Sequence, residues 1–139
     1  MRRRALLDRL RYHQDAILAI MRDAEPLLAD PARRDVPQLA RARWTLVRAL
    51  TAYQLFKHNE IFDPVTARRL PGDVARAARM KQACTDMGEE FRRYVSKWSG
   101  CDVAGEWTTY QPAALAMIGR LREHIAREQA DVTAMLAAA

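Results

Sequence analysis

Apolar residues recur along the chain at alternating spacings of three and four, the signature of helices that bury one face. In the first stretch Leu6, Leu10, His13, Ile17, Ile20, Ala24 and Leu27 fall on one stripe. In the second, Leu39, Leu46, Val47, Leu50, Tyr53, Gln54, His58 and Ile61 share a broad face. The third gives Val74, Ala77, Lys81, Cys84, Gly88, Phe91, Val95 and Trp98, and the fourth Met117, Leu121, His124, Glu128, Val132 and Met135. Breaks rich in Pro, Gly and Asp separate them: Pro26 and Asp30-Pro31 through Pro37, Asp63-Pro64 through Pro71-Gly72, and Ser99-Gly100 through Gln111-Pro112. The pattern predicts four helices over 4–29, 37–62, 72–98 and 112–137, each about 39 Å long. Pro37 and Pro112 suit a first helical turn, Gly72-Asp73 offers an N-cap, and Pro26 is expected to end or kink the first helix. Equal lengths and short connections predict an all-α, up-down-up-down antiparallel four-helix bundle forming one domain over 1–139.

Composition narrows this reading. Sparse β-branched residues and abundant Ala, Leu and Arg favour helix, and a chain of 139 residues that is 50% hydrophobic fits one globular domain. No apolar run approaches the length of a membrane span. The net charge of +6 comes from 23 basic residues, 20 of them Arg, dispersed among acids and accompanied by 25 Ala, as a GC-rich genome encodes. That dispersion predicts solvated helix surface, with no nucleic-acid or membrane partner. Two cysteines, Cys84 and Cys101, are too few for a disulfide framework and predict reduced thiols in a cytoplasmic protein. Trp44, Trp98 and Trp107 are expected to pack, and the 99–111 loop to fold over one end. An exposed helix face leaves room for a homodimer.

Each stripe has a polar interruption, and in an antiparallel bundle these interruptions fall at one height. His13 lies about nine residues into the first helix, His58 about four from the end of the second, Lys81 and Cys84 nine to twelve into the third, and Glu128 about nine before the end of the fourth. With His124, one turn before Glu128 on the fourth stripe, all three histidines of the chain belong to this set. No Gly-rich phosphate loop, Cys-x-x-Cys pair or His-Glu-x-x-His motif is present, so the expectation is a non-enzymatic binding protein.

An N-terminal helix with an inward His13, a helix ending Gln54-Leu-Phe-Lys-His58-Asn-Glu-Ile61-Phe62-Asp-Pro64, and a last helix carrying His124-Ile-Ala-Arg-Glu128 together resemble the hemerythrin-like, HHE-type cation-binding family over essentially the whole chain. The resemblance implies a four-helix bundle whose inward His and carboxylates hold a di-iron centre that handles oxygen, nitric oxide or iron. It assigns His13 and the His124/Glu128 pair as ligands. In the second helix it places Gln54 where the family has His and His58 where it has Glu, and the third helix supplies no His. An intact di-iron centre is therefore not expected. Three outcomes stay open: one Fe, Zn or Mn ion on His13, His58, His124 and Glu128; a metal-free network in which Lys81 pairs with Glu128 beside Gln54; or no site at all. Metal- or O2/NO-related binding follows from the first, and a metal-independent interaction or signalling module is the alternative.

Overall fold

The computed structural model describes residues 2–68 and 70–137; positions 1, 69, 138 and 139 of the predicted domain lie outside the described residues. Among the described residues the chain is all-α, with four long helices and no strand. They are α1 (Arg2–Ala29), α2 (Val36–Lys57), α4 (Pro71–Ser99) and α5 (Trp107–Ala137), with the short α3 (Asp63–Ala67) following α2. Helix α1 packs against α2 and α5, and α4 packs against α5 and α2. Arg3 donates to the carbonyls of Leu136 and Ala137 near the end of α5, while Gln111 near its start donates to the Leu28 carbonyl.

The predicted starts shift for identifiable reasons. Asp35 caps α2, its carboxylate accepting from the Gln38 N–H at 3.0 Å. Helix α4 begins at Pro71, ahead of Gly72-Asp73, so Asp73 lies in its first turn, where a negative charge suits the helix dipole. Pro26 does not end its helix, since α1 runs on to Ala29, and Pro112 does not stand in a first turn, since α5 starts five residues before it, at Trp107. Both prolines are exposed, so the carbonyl each leaves without a donor is on the water side. The remaining loop is anchored by buried Val103, and Trp107 receives the Arg34 guanidinium 5.0 Å from its ring.

Helix α2 carries the key register. Its buried positions Leu39, Arg43, Leu46, Tyr53 and Lys57, with half-buried Leu50 between, alternate by four and three and form one bundle seam. Continued strictly, that seam would reach Glu60 and Pro64. Instead residues His58–Phe62 form a π-turn, closed by the Asp63 N–H bonding to the His58 carbonyl, and the buried positions become Ile61 and Val65. Pro64 has no N–H to offer the carbonyl four residues back, so the α-helical ladder is already interrupted there. The wider turn absorbs one residue and restores Ile61, Phe62 and Val65 to the core.

Candidate functional site: a buried lysine-carboxylate cluster

Lys57, only 1% exposed, ends the α2 seam with its Nζ inside the bundle. It donates to both carboxylate oxygens of Glu128 at 2.7 Å and to Cys84 Sγ at 3.3 Å, and lies 3.9 Å from the centre of the Tyr53 ring. His124, one turn before Glu128 on α5, brings Nε2 to 3.1 Å from Oε1. The Tyr53 hydroxyl accepts from Gln14 Nε2 at 3.0 Å. Helices α1, α2, α4 and α5 thus each contribute to one buried polar layer; the other buried charge among the described residues, Arg43, lies toward the opposite end of α2.

The charges within this layer support one another. Burial acts most strongly on Glu128 and disfavours its ionised form, but the hydrogen bond from His124 and the charge of Lys57 outweigh it and hold its pKa below the ordinary value. On His124, burial again acts most strongly and opposes protonation. Hydrogen bonds with Cys84 and Glu128 and the carboxylate charge overcome it, so its pKa is raised. Burial, reinforced by the Glu128 charge, drives the Tyr53 hydroxyl far upward and keeps it neutral.

Of the residues proposed from sequence, the structure brings together His124, Glu128 and Cys84, whose ligand atoms lie within 4.8 Å of one another. His13 and His58 do not join them. His13 stacks on Phe56 with ring centres 5.0 Å apart, and His58 sets its edge against Phe62. Both are half-buried, and burial, with Arg9 beside His13 and Lys57 near His58, lowers their pKa values. Lys81 is also corrected as the expected partner of Glu128: its Nζ pairs with Asp63 at 2.9 Å on the surface. Gln54 lies outside the layer, its amide seated against Gly88 on α4.

The donor set does not fit the metal centre that the resemblance implies. Two of the four expected ligands, His13 and His58, are elsewhere; His124 and Glu128 remain, with Cys84 beside them, and the ammonium of Lys57 lies within hydrogen-bonding distance of both Glu128 and Cys84. A metal ion there would have to displace a positive charge already held at 2.7 Å by both oxygens of the carboxylate. A Cys, His and carboxylate set suits zinc-like ions by its chemistry, but only with the lysine withdrawn.

Beside the cluster, a cavity of about 440 Å³ lies between α2 and α4, with α5 beneath. Trp44, Val47, Leu50, Phe91, Val95 and Ile125 give it an apolar wall, and Tyr53, Lys57 and His124 of the cluster also line it. No helix is long and apolar enough to cross a membrane. Comparison of the chain with protein-family models, with curated proteins and with solved structures finds no match.

Proposed function

We propose that this chain is a hemerythrin-like, up-down-up-down four-helix bundle in which a lysine has taken the place of the metal, and that it serves as a non-enzymatic, cytoplasmic binding module. The antiparallel arrangement is supported by contacts at both ends. Arg3 at the start of α1 meets the end of α5, and Gln111 at the start of α5 meets the end of α1. Arg43 early in α2 reaches the Trp98 carbonyl late in α4, while Lys57 at the end of α2 reaches Cys84 in the first half of α4. The resemblance to the HHE-type family rests on the sequence around His13, His58, His124 and Glu128.

The observation that carries the metal-free reading is the position of Lys57 Nζ, 2.7 Å from each oxygen of Glu128. A buried carboxylate in a low-dielectric core requires a positive neighbour. Lys57 supplies it at 2.7 Å, which leaves the bundle folded without an ion and frees the adjoining cavity as the binding element. Elemental analysis of protein purified without a His tag tests this: substoichiometric Fe, Zn and Mn are expected, with a melting temperature indifferent to chelator. Stoichiometric metal, or a melt lowered by chelator, would overturn it.

A further inference from the structure

The α2/α4 cavity goes beyond that reading, because its chemistry stands whether or not metal is bound. Its walls combine a long apolar surface with the bases Lys57, Arg92 and His124, and no Asp or Glu lines it. Its volume lies in the range of small-molecule sites, roughly 300–1,000 Å³, and the stretch of α2 from Trp44 to Lys57 runs for about 20 Å. Trp44, 48% exposed on this wall, places an indole where an occupant of the groove would change its surroundings.

One point in the groove is built for a polar group. A Cβ added to Gly88 would lie 2.7 Å from Gln54 Nε2 and 3.5 Å from Arg92 Nη1. The missing side chain is what lets the amide of Gln54 settle on α4 and brings a neutral donor and a guanidinium to one spot. Arg92 makes no ion pair among the described residues, and Lys57 has its charge matched by Glu128, so the unmatched charge of the groove is that of Arg92. Guanidinium beside amide is a donor pair suited to a carboxylate.

The geometry points to a site for an amphipathic carboxylate, a medium-chain fatty acid or similar acid, with its head on Gln54 and Arg92 over Gly88 and its chain along Leu50, Phe91 and Ile125. Isothermal titration with dodecanoate, 1-dodecanol and dodecylamine, below the concentration at which each aggregates, tests it, with Trp44 fluorescence as a second readout. Dodecanoate should bind one per chain and about tenfold or more tighter than the alcohol and the amine, the discrimination expected of one charge-assisted hydrogen bond. Arg92→Gln, at an exposed position, should erase most of that preference, lowering dodecanoate affinity far more than dodecanol affinity. Gly88→Ala should do the same by pushing the Gln54 amide away. Equal binding of the three probes, binding by none, or a concentration-dependent dimer that buries Trp44 and excludes dodecanoate would overturn the assignment. None of these outcomes depends on metal content.

Discussion

Two buried bases sit on the same seam of α2, and their surroundings differ. Lys57, at one end, has a carboxylate at 2.7 Å, a thiol at 3.3 Å and an aromatic face. Arg43, fourteen positions earlier and 7% exposed, has no carboxylate within ion-pair distance among the described residues. Its Nη1 and Nη2 make long contacts of 3.5 Å to the Tyr110 hydroxyl and the Trp98 carbonyl, and its Nε has no hydrogen-bond partner. At the Lys57 end, cation and anion require each other, so removing either strands the other in the core. At the Arg43 end a cation is tolerated by neutral oxygens, and its removal strands no opposite charge.

The largest expected effects come from breaking the paired end. Glu128→Leu leaves the Lys57 ammonium facing only Cys84 and Tyr53, and should destabilise the protein by about 3–5 kcal/mol in denaturant melts. Lys57→Met should cost somewhat less in mildly acidic buffer, because protonated His124 remains at 3.1 Å from Glu128 to neutralise it. As pH rises and His124 loses its proton, the cost of Lys57→Met should grow; a pH-independent cost would show that His124 does not share the charge.

A second group of predictions sharpens the contrast. Lys57→Ala vacates the cation position, so Co(II) should bind to Cys84, His124 and Glu128 and give a thiolate-to-cobalt charge-transfer band that the native chain lacks. Arg43→Met, which leaves no opposite charge behind, should change stability by less than about 1.5 kcal/mol. A loss as large as that of Lys57→Met would mean the two ends are alike after all.

The pH dependence of His124 has a definite sign. Its folded pKa is raised, so its contribution to stability is fully present below the unfolded value of 6.5 and is lost as pH rises through the folded value. The folded pKa of Glu128 is lowered, so its contribution is present above the unfolded value of 4.5 and is lost as pH falls through the folded value. His13 and His58, with lowered values, act opposite to His124. The stability difference between the native chain and His124→Gln removes that background, and should shrink as the solution is made alkaline. The smallest effect is expected at Lys81, whose exposed pair with Asp63 makes Lys81→Met cost below about 1 kcal/mol.

The height of the polar layer was legible in the sequence, and its facing was not. Sequence spacing puts inward polar groups at the levels of His13, His58, Lys81 and Glu128, and at the first three levels the buried residue is an immediate neighbour: Gln14, Lys57 and Met80. One residue along a helix is only 1.5 Å of height but about 100° of rotation, so a stripe drawn one position off keeps the level and loses the face. In α4 the strict spacing Ala77, Met80, Cys84 seats Met80 inward and sends Lys81 to solvent. In α2 the 4-3 alternation from Leu39 passes through Arg43, Leu46, Leu50, Tyr53 and Lys57, two bases on an otherwise apolar or aromatic seam. That alternation was the available signal for both buried cations. The broad face drawn through Gln54 and His58 passed over it, and the π-turn at His58 then shifted every later position by one. The count of four long helices needed only periodicity and breakers, and it was recovered; the bounds depart at the start of α5 and after α2, where the π-turn and α3 carry helical structure through the expected Asp63-Pro64 break to Ala67.

The most direct test of the claim that Lys57 stands where a cation must be is a double-mutant cycle on Lys57→Met and Glu128→Leu, with melts run in chelator and in added Zn(II). If the lysine is the cation, each single change is costly, and the double change costs far less than their sum, since an apolar pair replaces an ion pair. The native melt should then be the same in chelator and in Zn(II). Additive single costs, or a native protein that chelator destabilises, would contradict it.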